Sequence, residues 1–367
     1  MTGEETASPV FLCRAVGCVV YSPHFLERSL ILNRWQFWLG VAISVFLMWW
    51  TLRNFRLADI WDSVQHANYW WIVPGVIVYF GAVWARTWRW HYLLRPLKRI
   101  PLSELFPVVT IGYMANNITP ARAGEFVRAY VLKHKEDVSV SASLATIIVE
   151  RIFDGIVMLI FVLVALPLAP ALPDWLRQVV ILGSVAFFGA LIVFLVLASA
   201  PRRFAVVYNR IVARFVPTRL RPSVIGILDR FVEGLACLRS PLDLLMIFVT
   251  SLVIWLTETV KYWFVMHAFP GHGFPVSFFA LMLMNGVVNL ATTIPSAPGY
   301  VGTFDTPGIE ILKAFGVEGA TAAGYTLVLH AALWLPITLL GAWYLAREGL
   351  RWSDFATAEK LGKQGDS

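Results

Sequence analysis

Charge is scarce in this chain: Asp, Glu, Lys and Arg make up 14% of its 367 residues, against roughly 25% in an ordinary soluble domain. So few charges cannot clothe a core of this size in hydrated side chains, which excludes a water-soluble globular protein. Cysteine is nearly missing, and Cys13, Cys18 and Cys237 have the spacing of neither a disulfide framework nor a metal site. They read as packing residues. There is no P-loop, no GxGxxG after a strand, no zinc-type spacing and no Gly-x-Ser-x-Gly elbow. ATP hydrolysis is therefore unsupported, no cofactor or metal is expected, and the chain is not expected to be an enzyme. Acids are also outnumbered, 23 against 30 basic residues. The excess is local, with Arg202, Arg203, Arg210, Arg214, Arg219 and Arg221 in one linker, which reads as membrane topology and not as affinity for nucleic acid. No small-residue cleavage site follows the first apolar patch, so a signal peptide is not expected.

What remains is apolar: 58% of the residues are hydrophobic. The runs are long and continuous instead of alternating, which excludes a membrane barrel and predicts an all-α polytopic membrane protein. Runs able to cross roughly 30 Å of hydrocarbon fall near 35–52, 69–86, 140–168, 177–199, 242–268 and 319–346. Trp35, Trp38, Trp49, Trp50, Trp70, Trp71, Trp84, Trp88 and Trp90 crowd the ends of the early runs, as aromatic belts do at membrane faces. The basic stretch from Trp84 to Pro101, including Arg86 and Arg89, the linker 201–240, and Arg347 with Arg351 are all expected on the cytoplasmic side. Six spans then leave the N-terminal segment 1–34 and the tail 347–367 in the cytoplasm. In the linker, Phe204, Val207, Ile211 and Phe215 share one helical face, and Val224, Leu228, Phe231 and Leu235 another. Two helices on the inner leaflet and a solvated pair packed on the cytoplasmic ends both fit.

Two further apolar stretches, 102–116 and 276–294, each run into a segment broken by Pro and Gly: Asn116 to Arg128 and Pro295 to Asp305. Opened backbone at bilayer depth is tolerated only where it is buried in protein or lines a wet cavity. The charges flanking the first stretch, Arg128, Lys133 and Lys135, belong on the side from which it started. It is expected to dip in and return, and the second to dip in from the opposite side. Span, span, hairpin, span then repeats in inverted orientation over 35–168 and 177–346, and a matched pair of interrupted segments points to a transporter's binding site. The competing reading makes both stretches full spans, giving eight.

The first break carries Asn117, Thr119, Arg122, Glu125 and Arg128. Thr119 as cap and Pro120 at the first helical position predict a helix start whose free N–H groups suit an anion. Arg122 and Arg128 add guanidiniums, which grip phosphate with paired hydrogen bonds, and Glu125 is placed to hold either when the site is empty. The alternative is that these three satisfy one another at a hairpin tip. The third span holds Glu150, Arg151 and Asp154 within about one turn, and each ionised group at a helix centre costs about 2.5–3.5 kcal/mol. Arg151 is a substrate candidate; Glu150 and Asp154 read equally as proton-coupling groups or as a brace for the hairpin arginines. The second break offers backbone at Pro298, Gly299 and Gly302 and a carboxylate at Asp305, or simply a tight turn. Glu258 and Lys261, three apart in the fifth span, are expected to neutralise each other, with Glu258 a further candidate for the cavity. His330 reads as a hydrogen-bonded packing residue.

Thr119-Pro120-x-Arg122-x-Gly124-Glu125-x-x-Arg128, Ala145-Thr146, Glu150-Arg151-x-x-Asp154 and Pro295-x-x-Pro298-Gly299-x-x-Gly302 together resemble the flippase-like family that contains the transmembrane region of lysylphosphatidylglycerol synthases. The resemblance runs from about 40 to 346. It implies movement of an anionic or aminoacylated lipid, or of a lipid-linked sugar, between leaflets of a prokaryotic cytoplasmic membrane. Gly299-Tyr300 and Asp305 stand where the family often has Gly-Gly and Glu. No synthase domain follows the last span within this chain, so lipid aminoacylation is not expected. The rival readings are an intramembrane transferase acting on a lipid-linked donor, with Glu125 or Asp154 as base, and a membrane partner subunit of a separate synthase or glycosyltransferase. A homodimer and a lipid-modifying enzyme partner both stay open as assemblies.

Overall fold

The computed structural model describes residues 35–53, 55–119, 124–168, 221–235, 241–271, 273–294 and 296–350, with isolated positions between 177 and 214. The segment 1–34, most of the expected span 177–199, the first linker helix, the hairpin tip 120–123 with Arg122, and the tail from 351 onward lie outside them. The described residues form helices and turns, with no strand among them. In chain order the helices are α1 (Trp35–Leu52), α2 (Leu57–Gln65), α3 (Ile72–Leu94), α4 (Leu102–Ile118), α5 (Gly124–Glu136), α6 (Val140–Ala165), α7 (Arg221–Gly234), α8 (Pro241–Met266), α9 (Phe278–Ala291), α10 (Asp305–Ala314) and α11 (Gly319–Arg347). One-turn 3-10 helices occupy Tyr69–Trp71, Leu166–Leu168 and Pro298–Tyr300.

Local chemistry sets several boundaries. Ser139 caps α6 by accepting from the Ala142 N–H at 3.4 Å, and Ser277 caps α9 by accepting from the Ala280 N–H at 3.2 Å. Asp137 takes a left-handed φ of 54° in the turn between α5 and α6. α1, α6, α8 and α11 follow the expected apolar runs closely. α3 does not: it continues past 86 to Leu94, so Arg86 and Arg89 are helical and buried instead of lying in a cytoplasmic loop. α2 was not anticipated; it packs Ile60 and Ser63 beside Gly324 of α11. α7 lies against the start of α6, where its Gly234 abuts Ala142 and Ala145.

At 1.5 Å per residue, α6 and α8 are about 39 Å long and α11 about 44 Å. α4, α5, α9 and α10, of 17, 13, 14 and 10 residues, measure about 26, 20, 21 and 15 Å, each short of the roughly 30 Å hydrocarbon thickness. The outside of the assembly is apolar: Trp38, Phe46, Ile77, Leu163, Val253 and Leu339 are all exposed. An apolar exterior of this extent marks a surface made for lipid.

Inside, two separate apolar cores form. One gathers the later half of α3 with α4, α5 and the first part of α6, including Trp90, Leu105, Ile111 and Leu132. The other gathers the end of α6 with α8, α9, α10 and the first half of α11, including Phe161, Leu283, Ile309 and Tyr325. Each is built around one broken helix pair. α4 and α5 are antiparallel, and Lys135 near the end of α5 pairs with Glu104 at the start of α4 (3.2 Å) and with Glu348 just past α11 (2.9 Å). α9 and α10 are antiparallel too, and they begin and end at the opposite extremity, where Gly273 packs on Gly316 and Val317.

The α4–α5 approach requires glycine. A Cβ on Gly124 would collide with the Gly112 carbonyl oxygen and the Asn116 backbone nitrogen, neither of which can rotate aside. Gly124→Ala is expected to lower stability by about 1–3 kcal/mol through overpacking, read as a fall in the melting temperature of the detergent-solubilised protein. An unchanged melting temperature would show that the two helices separate freely.

Candidate functional site

Between the two cores runs a belt of charge at mid-height in the long helices. Glu150, Arg151 and Asp154 lie on α6 between Val149 of one core and Val157 of the other. Arg86 and Arg89 face them from α3, Glu258 and Lys261 from α8, and His330 from α11. Among the described residues the belt holds five fixed cations, Arg86, Arg89, Arg128, Arg151 and Lys261, against four carboxylates, Glu125, Glu150, Asp154 and Glu258. A buried charge must be paired in a medium without water, and cation and anion alternate along two strings, Arg128–Glu150–Arg89–Asp154–Arg151–Glu125 and Arg86–Glu258–Lys261.

One part of the belt is closed. Arg128 grips Glu150 with both terminal nitrogens, at 2.7 and 3.3 Å, and its guanidinium lies 3.5 Å from the centre of the Trp90 ring. Arg89 grips Asp154 in the same two-pronged way, at 2.5 and 3.2 Å, and donates to Ser251 Oγ at 2.8 Å. Trp255 Nε1 adds a third donor to Asp154 at 2.8 Å. Glu150 and Asp154 are thus engaged by guanidiniums and do not repel each other across a shared face.

The other part of the belt borders a cavity of about 140 Å³. Glu125 of α5 and Arg151 of α6 meet on its wall at 3.4 Å, and Arg151 also reaches Asp154 at 3.5 Å. Across from them Glu258 is shared by Arg86, whose Nη1 donates at 2.6 Å, and by Lys261. Both chain breaks reach this cavity. Asn117, at the end of α4, donates to Thr338 Oγ1 at 2.9 Å and to the Trp334 carbonyl at 3.3 Å, while Trp334 Nε1 donates to the Asn117 carbonyl at 3.2 Å. From the second break, Gly299 has a φ of 76° and lies against the Trp334 indole, a left-handed conformation that glycine adopts without strain. His330 ties that break down: one ring nitrogen is 2.6 Å from the Gly299 carbonyl oxygen and the other 2.9 Å from Asp305 Oδ1.

The residues singled out in the sequence divide accordingly. Asn117, Glu125, Arg151, Gly299 and Glu258 line the cavity. Arg128 does not; it turns to Glu150, and Glu125 pairs with Arg151 and not with Arg128, because the α5–α6 contact outweighs the i,i+3 spacing, while Arg122, the other expected partner of Glu125, lies outside the described residues. Thr119 donates its hydroxyl back to the Ala115 carbonyl at 2.6 Å, closing α4. Pro298 begins the one-turn helix before the cavity. Gly302 packs on Ser44 of α1 and donates its N–H to Asp305 Oδ2 at 2.9 Å, with Asp305 buried behind the wall. The expected Glu258–Lys261 pair is present, but Arg86 joins it. Arg86, Tyr79, Tyr113 and Trp334 are wall residues that the sequence reading missed. One signal was available for Arg86: the acids inside the spans outnumber the cations assigned there.

Removing one member of a closed pair leaves its partner charged and buried, at a cost of about 3–5 kcal/mol. Glu150→Gln is therefore expected to destabilise the solubilised protein by that order in thermal unfolding. Combining Arg128→Met with Glu150→Leu should recover most of the loss, whereas equal melting temperatures for E150Q and the parent would remove the pair's structural role.

Known proteins share this sequence over most of its length. A UPF0104 membrane protein of Methanothermobacter thermautotrophicus is 25% identical over 76% of this chain and 84% of its own. A UPF0104 membrane protein of Pyrococcus horikoshii is 23% identical over 83% and 93%. The glycosyltransferase AglD of Haloferax volcanii is 26% identical over 73% of this chain but only 48% of its own length. No solved structure matches. Residues 37–341 match the family of the lysylphosphatidylglycerol synthase TM region, bearing out the resemblance read from the motifs: the chain belongs to this family of membrane proteins.

Proposed function

We propose that the protein moves an anionic amphiphile, a lipid or lipid-linked sugar, between the leaflets of a prokaryotic cytoplasmic membrane, as a flippase or scramblase. The observation that carries this reading is the cavity itself. It is walled by both chain breaks, and among the described residues its lining brings together three cations, Arg86, Arg151 and Lys261, and two carboxylates, Glu125 and Glu258. Guanidiniums gathered on such a wall suit an anion with oxygen acceptors. The acyl or prenyl tail stays in lipid.

On this reading α4–α5 and α9–α10 are re-entrant hairpins of opposite orientation, entering from opposite faces of an inverted repeat. Their short lengths and the clustering of each pair's outer ends at opposite extremities support it. Lys98, Lys133, Lys135 and Arg347 lie toward the end where α4 starts, and the positive-inside rule makes that end cytoplasmic. Rocking of one half against the other exposes the cavity to each leaflet in turn.

The name of the Haloferax volcanii relative favours a second reading, an intramembrane transferase acting on a lipid-linked donor. Glu125 is the base it requires, since Asp154 is held by Arg89, Arg151 and Trp255. The two readings separate in vesicles containing fluorescent phosphatidylglycerol. Transport predicts loss of the dithionite-protected half of the signal in the presence of protein, slowed about tenfold or more in Arg151→Gln, from loss of one charge-assisted anchor. Chemical conversion of a lipid-linked donor with no change of leaflet would replace the transporter reading by the enzyme.

A further inference from the structure

His330 stands on the cavity wall with its side chain 14% exposed, and an oxygen faces each of its ring nitrogens. The Gly299 carbonyl oxygen lies 2.6 Å from Nε2, and Asp305 Oδ1 lies 2.9 Å from Nδ1. A backbone carbonyl only accepts, so Nε2 carries a hydrogen. A neutral imidazole has a single N–H, which leaves the bare lone pair of Nδ1 aimed at a carboxylate oxygen. The second bond therefore needs one more proton, held on Nδ1 or on Asp305 Oδ1. The turn between the two acceptors is itself strained. Tyr300 has a φ of 61°, left-handed backbone that costs a residue with a side chain and persists only where its surroundings impose it. His330 grips Gly299 on one side of Tyr300 and Asp305 on the other, and Asp305 Oδ2 accepts from the Gly302 N–H at 2.9 Å within the same turn. Across the cavity, Glu125 faces Arg151, and Glu258 is shared by Arg86 and Lys261. The phenols of Tyr79, Tyr113, Tyr262 and Tyr300 complete the ionisable groups on the wall among the described residues.

We infer that the bridge Gly299–His330–Asp305 is a proton-binding site, and that its proton latches the second break. This goes beyond the transporter reading and does not depend on what the cavity carries. With the proton in place, both ends of the Tyr300 turn are tied to α11. When it leaves through the cavity, one imidazole hydrogen remains for two acceptors. The Nε2–H tautomer keeps Gly299 and sets the Nδ1 lone pair against the Asp305 carboxylate; the Nδ1–H tautomer keeps Asp305 and sets the Nε2 lone pair against the Gly299 carbonyl. Either way one fastening opens, and the left-handed turn is released to relax. A bound proton stabilises only the form that holds it, so the latched break belongs to lower pH and the released break to higher pH.

Hydrogen exchange on the full chain in nanodiscs tests the latch. Residues 112–118 at the end of α4 serve as the control within the same molecule, because the first break borders the same cavity but holds no histidine. From about pH 5.5 to about pH 8.5, on either side of the ordinary histidine range, residues 299–304 should lose protection about tenfold or more relative to that control. Asp305→Asn should abolish the change and stay protected throughout. The amide donates to Nδ1 of a neutral imidazole while Nε2–H keeps Gly299, so both bonds form without the extra proton. His330→Gln should exchange rapidly at both pH values. Nitrogen-15 spectra of histidine-labelled protein read the site directly: the ring signals that His330→Gln removes should differ between the two pH values. The inference is overturned if residues 299–304 follow the control in the parent, if D305N keeps the parent's pH dependence, or if the His330 signals do not change. Neither measurement requires a lipid to move, so the latch and the transporter stand or fall separately.

Discussion

Everything in this fold is arranged around the placing of charge in the interior of an apolar protein. A guanidinium at the centre of a bilayer is tolerated only against a carboxylate, and here three arginines answer carboxylates of other helices: Arg128 to Glu150, Arg89 to Asp154, Arg86 to Glu258. Those pairs fix the rotation of α3, α5, α6 and α8 about their own axes more tightly than apolar contact does, because a leucine face accepts several rotations and a two-pronged ion pair accepts one. The two apolar cores then pack above and below a layer whose register is already set.

The belt also separates rigid from responsive parts. Glu150 and Asp154, each held by two nitrogens of one arginine, form the closed side. Glu125, Arg151, Glu258 and Lys261 form the open side, where Glu258 serves two cations and the side chains border empty volume. The breaks in α4–α5 and α9–α10 lie next to the open side. Interrupted backbone, gathered charge and empty volume therefore coincide in one place, which is where the functional reading places its ligand.

The long helices were legible in the sequence because their apolar runs are uninterrupted, and the second break was legible because Pro298, Gly299 and Gly302 punctuate it. The end of α3 was not. Arg86 and Arg89 look like a cytoplasmic flank when only their neighbours are read, and their partners lie 172 and 65 residues away. The same blindness to distance hid the contact of Glu125 with Arg151: its spacing to Arg128 suggests a helical pair, whereas the packing of α5 on α6 sends Arg128 to Glu150 and brings Glu125 to Arg151. His330 read as a hydrogen-bonded packing residue and is hydrogen-bonded, but its partners, a carboxylate and a backbone carbonyl in a segment that turns back upon it, were out of reach of the sequence. α2 escaped notice because nine residues leave too short a periodic signal.

His330, Trp334 and Thr338 recur every four residues along one stripe of α11 and fasten the second break and the first in succession. A single rod thus carries the fittings for both breaks, so a slide or swivel of that rod would tug on both in the same stroke. On the proposed reading, such gearing would let the two breaks act in concert, like the paired doors of an airlock.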